Sequence, residues 1–201
     1  MDRSPSEQSF FSIDLEFNQP SQNVIQVGVC VGGAMQSEEE YLIRKWYIAP
    51  GEPIHPDISR LTGIDESTLL EKAVPITQMA TELSDVLKSV PACFVNPVVW
   101  GPGDAERLLA LISTVPGISF PHLGRRAIDV KTWHTLISLS RGKNPSGGLK
   151  SVMAKYGLSF KGAAHRAEVD AFNTLRLFFL LLDRQSTLEG MAKLGKGVTG
   201  G

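Results

Sequence analysis

Apolar and polar positions along the chain predict three strands followed by alternating helices and strands. Three apolar runs rich in Val, Ile, Phe and Tyr come first, at residues 10–17, 24–33 and 41–50. Short polar segments separate them, as is typical of antiparallel neighbours. The period then changes to that of helices. A hairpin sheet extended by helix–strand crossovers buries both of its faces, so the sequence predicts one α/β domain with a mixed sheet covered by helices.

The second part of the pattern alternates helices with two further strand-like runs. Residues 55–73 read as short helical turns broken at Gly63, and Pro97 weakens the strand-like run that contains it. The Gly-rich end has no core-forming period, so residues 1–8 and 189–201 are predicted to be flexible around a single domain at 9–188. Helices are predicted at 74–90, 104–115, 132–141, 147–158 and 166–186, and strands at 93–101 and 127–130.

Composition narrows the class of protein. Of the 201 residues, 42% are hydrophobic, which is enough for a substantial core. No apolar run reaches the roughly 18–20 residues of a membrane span, and the polar, acid-containing N-terminus does not resemble a signal peptide. Cys30 and Cys93 are too few for a disulfide framework or a zinc set. We therefore expect a cytoplasmic protein that makes no use of a membrane.

Charge is distributed unevenly along the chain. The formal net charge is only −1, but residues 1–124 hold seven Lys or Arg and sixteen acids, whereas residues 125–166 hold nine Lys or Arg and one acid. This cationic segment could meet a polyanion such as a nucleic acid, or it could be a solvated surface. We call the following residues the cationic block: Arg125, Arg126, Arg141, Lys143, Lys150, Lys155, Lys161 and Arg166.

Acidic residues stand at the ends of apolar elements in three places. Asp14 and Glu16 lie two residues apart on the first strand, so both side chains point to the same face. Asp104 follows a strand and a Gly-Pro-Gly turn, and Asp170 lies in the first turns of the last helix, five residues after His165. Each has a plainer interpretation: Asp104 as a helix N-cap, His165 as a capping or packing group, and Asp170 as a solvated acid.

The combination of these acids indicates a metal site. Strand ends and helix starts in an α/β sheet converge on one crevice. Like charges gathered there destabilise the fold unless cations lie between them. Oxygen ligands alone favour Mg²⁺ or Mn²⁺ over zinc, and a histidine at the rim can act as a base.

This constellation resembles the DEDDh 3′→5′ exonucleases, the superfamily of ribonuclease T and the DNA polymerase III proofreading subunit. The D-x-E pair on the first strand, the later aspartate in WGPGDAERLL and the H-x(4)-D in HRAEVD carry the resemblance, which covers residues 9–184. The segment ISRLTGID at 58–65 is also similar to the family. The resemblance implies a ribonuclease H-like fold: a five-stranded mixed sheet of order 3-2-1-4-5, with strand 2 antiparallel, flanked by helices.

The resemblance also implies roles for individual residues. Asp14, Glu16, Asp104 and Asp170 would hold two divalent metal ions, Mg²⁺ or Mn²⁺, and His165 would take the proton from the attacking water. The products would be nucleoside 5′-monophosphates released from the 3′ end of single-stranded DNA or RNA. The residues expected to contact the substrate are Leu15, Phe17, Leu61, Thr62, Gly63, Ile64, Lys143 and Arg166.

Two other functions stay open at this point. The chain could be a nucleic-acid-binding module that has lost activity, or a subunit of a larger complex in which nuclease activity is incidental. DNA and RNA are equally compatible with the sequence, as are a homo-oligomer and a polymerase or repair complex. The other histidines, His55, His122 and His134, are predicted to be structural or surface groups, and Trp46, Trp100 and Trp133 to be core residues.

Overall fold

One five-stranded sheet organises the chain. The computed structural model describes residues 8–90, 93–117, 123–124 and 126–197. The strands are β1 (Ser9–Phe17), β2 (Val24–Gly33), β3 (Leu42–Tyr47), β4 (Val98–Val99) and β5 (Ile128–Asp129). Their order is β3-β2-β1-β4-β5, with β2 antiparallel to both of its neighbours and β1, β4 and β5 parallel. The predicted fold class and strand order are confirmed.

Seven α-helices flank this sheet in the described part of the chain. They are α1 (Pro56–Thr62), α2 (Glu66–Lys72), α3 (Ile76–Ser89), α4 (Asp104–Ser113), α5 (Val130–Ser140), α6 (Leu149–Lys155) and α7 (Ala167–Gly197). Among these, Gly63 ends α1 in the left-handed conformation, with φ 64°, which explains the break predicted there. None of these helices is long and apolar enough to cross a membrane.

The last two strands, β4 and β5, are shorter than the sequence predicted. Each has two residues, against predicted runs at 93–101 and 127–130. Pro97 directly precedes β4 and has no N–H to donate, while its carbonyl accepts a hydrogen bond from Ile128 at 2.8 Å. Beyond β5, the Asp129 side chain accepts from the backbone N–H groups of Lys131 and Thr132, so α5 begins as soon as the strand ends.

Alternation along β1 separates two cores. Phe11, Ile13 and Leu15 point to the side covered by α3 and α4, where they are buried together. Phe10 and Ser12 point to the side of α7, and the Ser12 hydroxyl donates to the carbonyl of Ala171 at 2.6 Å. Because side chains alternate with period two, Asp14 and Glu16 continue the face that lies against α7.

The last helix is longer than predicted. It continues to Gly197, beyond the predicted end at residue 186, and residues 184–190 are exposed. Its first part is held by packing against the sheet, whereas residues 185–190 are exposed. Residues 1–7 and 198–201 lie outside the described residues, so the domain limits at 9 and 188 stay predictions.

His55, His134 and the three tryptophans have structural roles, as predicted. His55 caps α1 through Nδ1, which accepts from the backbone N–H of Asp57, and His134 is buried. The three tryptophans, Trp46, Trp100 and Trp133, pack in the two cores. His122 lies outside the described residues.

Candidate active site

Two turns bring Asp104 towards the acid pair of β1. The chain passes through Gly101 and Gly103, with φ values of 93° and 110°, before α4 begins. Gly103 occupies the cap position, and Asp104 is the first residue of the helix rather than its N-cap. Its carboxylate is not used to cap α4, so the plainer interpretation from the sequence is excluded.

A close approach of α7 to β2 sets the position of Asp170. Gly28 of β2 pairs with Asp14 across the sheet. A Cβ atom on Gly28 would collide with the backbone of Ala167 and Glu168, so only glycine lets the start of α7 rest on the strand. The helix start lies directly over the strand pair that carries the acids.

The buried side chain of Gln26 fixes this approach. Its Oε1 accepts from the backbone N–H of Ala167 at 3.0 Å, and its Nε2 donates to Glu168 Oε2 at 3.0 Å. The amide therefore satisfies one of the free N–H groups at the start of α7. Asp170 lies one turn further along and faces the acids of β1.

The four predicted acids interact strongly with one another. Burial raises the pKa of Asp14 well above its usual range, and the charges of Asp104, Asp170 and Glu16 raise it further. Burial is also the main cause that raises the pKa of Glu16 to about 8 and that of Asp104 to about 7. These raised pKa values show that the site holds negative charge poorly without a cation.

Asp170 and His165 are joined through the backbone. Burial raises the pKa of Asp170, and the backbone N–H of His165, which donates to Asp170 Oδ2 at 3.1 Å, partly offsets the rise. His165 has φ 62°, an uncommon conformation for a residue other than glycine, and it is exposed at the rim of the site. This conformation leaves the imidazole beside the carboxylates rather than packed in the core.

The donor set fits a divalent cation. Glu16, His165 and Asp170 each offer one ligand atom, and these three atoms lie within 4.8 Å of one another. Asp170 Oδ1 is buried and has no hydrogen-bond partner in the structure. A buried carboxylate oxygen without a partner is costly, and a metal ion would satisfy it.

A cleft opens next to His165 and Asp170. It has a volume of about 590 Å³, and its wall is formed by α6 and by Phe160. Lys150 of the cationic block lies on this wall. The cleft is therefore open to an anionic ligand that approaches the acids from the α6 side.

Arg166 connects the acids with the predicted substrate segment at 61–64. Its charge lowers the pKa of Glu16, and a Cβ atom on Gly63 would lie 2.5 Å from its Nη2. Leu61 is 51% exposed, whereas Thr62 and Ile64 are buried. The Thr62 hydroxyl donates to the carbonyl of Ile58 and accepts from the N–H of Ile64. Only Leu61 and Gly63 of this segment present a surface to a ligand.

The side chains of three other predicted substrate residues do not line the cleft beside the acids. The Leu15 side chain is buried on the opposite face of the sheet, so only its main chain is available on the acidic face. Phe17 lies under the guanidinium of Arg107, 4.5 Å from the ring centre. Lys143 lines a separate cavity beside α5. Of the cationic block, Arg125 lies outside the described residues.

Sequence reasoning missed a fifth carboxylate at the site. Glu168 accepts from Lys45 Nζ at 2.5 Å as well as from Gln26, and its charge raises the pKa values of Asp14, Glu16 and Asp170. Its place two residues before Asp170 was the only signal in the sequence. Its partners lie on β2 and β3, so their contact follows from the fold.

The contact at Gly28 gives a testable prediction. We expect Gly28→Ala to lower the free energy of unfolding by roughly 1–3 kcal/mol, the typical cost of overpacking, because its Cβ meets backbone that cannot move alone. Gly33→Ala is the matched control, since its Cβ has no neighbour closer than 3.6 Å. Urea unfolding of both variants measures the difference, and equal stabilities would show that α7 does not rest on Gly28.

Comparison with known proteins agrees with the fold and with the family that the sequence resembles. A model of the exonuclease family RNase_T matches residues 11–178. A search of curated protein sequences found no match. Similar solved structures include the nuclease domain of 3′hExo bound to rAMP, described as a DEDDh family member, with a TM-score of 0.70 and 17% identity over 88% of this chain and 92% of that one.

Two further structures extend the comparison. Cell-death related nuclease 4 has a TM-score of 0.69 and 15% identity, over 88% of this chain and 64% of that one. E. coli Exonuclease I in complex with a dA16 oligonucleotide has a TM-score of 0.63 and 17% identity, over 90% of this chain and 42% of that one. This chain thus spans less than two thirds of either protein. At these identities the similarity concerns the fold.

The strand order and these neighbours show a ribonuclease H-like fold, as the resemblance found in the sequence implied. The match to the family model covers most of the chain. The chain belongs to the RNase_T exonuclease family.

Proposed function

We propose that this protein is a metal-dependent 3′→5′ exonuclease that releases nucleoside 5′-monophosphates from single-stranded DNA or RNA. The observation that carries the proposal is the convergence of all five predicted residues on one site. These residues are Asp14, Glu16, Asp104, His165 and Asp170.

The acids would hold two divalent ions, Mg²⁺ or Mn²⁺. Oxygen donors favour these ions, and the orphaned Oδ1 of Asp170 supports such a site. When bound, the ions supply Lewis-acid stabilisation of the phosphoryl oxygens and of the leaving group. Lys45 forms an ion pair with Glu168, whereas in the described part of the chain none of the other four acids forms an ion pair with a lysine or an arginine, so these four are left for metal.

His165 would act as the general base. It is exposed beside Asp170, and its imidazole atom lies within 4.8 Å of oxygens of Glu16 and Asp170. A base in this position can take a proton from a water that attacks a phosphate held between the acids. Arg166 lies between Glu16 and Gly63, where it can pair with the scissile phosphate.

The terminal nucleotide would lie against Leu61 and Gly63. Apolar and backbone surfaces accept any base by stacking and contact, so we expect little base preference.

Both cysteines are free, as expected in the cytoplasm, which we propose as the location of the protein.

A binding module without activity is the second candidate. Loss of activity with retained binding is expected when one of the five residues is replaced, and here all five are present. Glu16, His165 and Asp170 are also close enough to share one ion. These observations favour an enzyme.

We expect stepwise loss of mononucleotides from a free 3′ end. The test uses end-labelled single-stranded DNA and RNA with a free 3′-hydroxyl, the same strands with a blocked 3′ end, and a closed circle, each with Mg²⁺, with Mn²⁺ or with EDTA. Only the strands with a free 3′ end should shorten, and only with metal. Cutting of the closed circle would contradict the proposal.

A further inference from the structure

A second cavity lies beside the catalytic cleft. Its volume is about 370 Å³, and it is formed by the end of α5, the segment after it, and the end of α6. We call it the α5–α6 cavity. The residues that matter for its chemistry are His134, Ser138, Arg141, Lys143, Lys155 and Tyr156.

The walls of this cavity are cationic. Arg141, Lys143 and Lys155 line it, and no carboxylate is among the described residues that do so. Lys45 and Lys161, by contrast, are neutralised by Glu168 and Glu38. Within the described residues, Arg141 and Lys143 form no ion pair, and both are exposed. Their charges are available to an anion.

The floor of the cavity is polar and buried. His134 is 3% exposed, and its Nδ1 lies 3.0 Å from the Tyr156 hydroxyl. The Ser138 hydroxyl lies 3.4 Å from the same ring. The guanidinium of Arg184 lies 5.1 Å from the Tyr156 ring centre, which adds positive charge beneath the floor. A polar floor under cationic walls suits a hydrated anion such as a phosphate.

The segment that closes the cavity has a fixed conformation. The N–H of Lys143 donates to the carbonyl of Ser138 at 2.8 Å, and Lys155 Nζ donates to the carbonyl of Ser146 at 2.5 Å. The N–H of Ser146 donates to Asn144 Oδ1 at 2.9 Å. Because these bonds hold the backbone of the segment in place, the segment itself needs little ordering when a ligand binds.

Helix α6 separates the cavity from the catalytic cleft. Lys150 and Ser151 line the cleft, while Lys155 and Tyr156 line the cavity. One helix is about 10 Å wide. Successive nucleotides of a stacked strand rise about 3.4 Å along its axis, so a stacked strand crossing α6 would place a phosphate roughly three nucleotides from the end in the cavity.

We propose that the α5–α6 cavity binds the phosphate backbone of the substrate strand, a few nucleotides upstream of the 3′ end held in the catalytic cleft. The proposal rests on the proposed function for the identity of the strand. The cavity makes binding depend on strand length, since a dinucleotide fills the cleft alone and an octanucleotide reaches both sites.

Charge reversal tests the cavity. The double variant Arg141→Glu/Lys143→Glu is compared with the wild type and with Lys72→Glu/Lys88→Glu, which reverses two exposed charges on other helices. Fluorescence anisotropy in EDTA measures binding of a labelled thymidylate octanucleotide over a range of salt. The cavity variant should flatten the slope of log K against log salt by about 1.4, two phosphates at about 0.7 each.

Hydrolysis with Mn²⁺ gives the second measurement. The cavity variant should raise the KM for the octanucleotide at least tenfold, with kcat unchanged and the KM for the dinucleotide within twofold of wild type. The control variant should match the wild type in every measurement. Arg141→Ala/Lys143→Ala, which removes the charges without reversing them, should show the same pattern at smaller size.

The outcomes separate the two proposals. An unchanged salt slope and an unchanged octanucleotide KM in both cavity variants would overturn the cavity proposal and leave the exonuclease intact. A wild type that cuts no 3′ end, but whose octanucleotide binding falls in the variants, would refute the proposed function alone. If inorganic phosphate bound to the cavity without displacing the octanucleotide, the cavity would be a site for a free anion. That result would overturn its proposed role with the strand.

Discussion

Asp14→Asn should melt at a higher temperature than the wild type when both are free of metal, and it should be inactive. In the wild type, burial and the charges of Asp104 and Asp170 raise the pKa of Asp14 well above its usual range. When the metal-free protein folds at neutral pH, the acids of the cluster must either bring their negative charges together or keep protons that they would release in the unfolded chain. Both alternatives lower the free energy of unfolding. The substitution removes one of these charges, keeps the shape of the side chain, and deletes a metal ligand.

The pH dependence of this effect has a definite sign. When the pKa of an acid is raised in the folded state, the unfolded chain releases its proton first, so the stability present at acid pH is lost as pH rises. The pKa of Asp104 is raised to about 7 and that of Glu16 to about 8. The metal-free wild type should lose stability as pH climbs from about 4 to about 8, and Asp14→Asn should lose less.

Metal should reverse the order of the two proteins. One ion at 100 times its dissociation constant adds about 2.7 kcal/mol if it binds only the folded chain. For a chain of this size that corresponds to roughly 5–10 °C in Tm. The wild type should gain this from Mn²⁺, and Asp14→Asn should gain less. Loss of several kcal/mol of Lewis-acid stabilisation lowers the rate by roughly 10³-fold, at 1.36 kcal/mol per factor of ten.

Calorimetry from pH 4 to pH 8, with EDTA or with Mn²⁺, measures both the pH dependence of stability and the stabilisation by the metal. Asp85→Asn is the control, because Asp85 is an exposed acid of α3, which covers the face of the sheet opposite to α7. It should leave the pH dependence and the Mn²⁺ effect unchanged. If the metal-free wild type and Asp14→Asn melted alike and Mn²⁺ stabilised neither, the acids would share no metal site.

His165→Ala should lower the rate of hydrolysis by roughly 10²–10⁴-fold, the usual effect of removing a general base. Folding should change little, because His165 is exposed and its one hydrogen bond to Asp170 is made by the backbone. Octanucleotide binding should also be retained. Single-turnover kinetics, Tm and anisotropy check these three expectations.

His165→Gly is the matched variant for the backbone. Glycine adopts φ 62° without strain, so it keeps the hydrogen bond to Asp170 while it removes the imidazole. It should be as inactive as His165→Ala, and added imidazole should restore part of its rate. A near-normal rate in either variant would place the base elsewhere.

The sequence predicted the parts of the site that follow from period and order. The period of two along β1 placed Asp14 and Glu16 on one face, and the order of elements predicted a mixed sheet covered by helices. The contacts of Glu168 with Lys45 and Gln26 join residues more than a hundred positions apart, so no local pattern contains them. Gly28 likewise needs the path of α7.

Burial decided the remaining differences. Thr62 and Ile64 lie in a segment that reads as a single unit in the sequence, yet their side chains point into the core while Leu61 points out. Helix α1 ends at Gly63 in the left-handed conformation, and this ending decides which side chains of the segment are buried and which are exposed. Composition alone does not show where the helix ends. Lys143 belongs to the same cationic run as Lys150, but the two lysines line different cavities.

Because β1 is a central strand, its carboxylates keep their positions for longer than the imidazole of His165 does. Asp14 and Glu16 sit on a strand bonded to neighbours on both sides, and such a strand exchanges its amide protons only when the whole fold opens. The imidazole of His165 is exposed, so it can change rotamer while the fold stays closed. The carboxylates therefore persist as long as the native state does, while the imidazole can leave and return many times within it, which allows product to depart without dismantling the acid cluster.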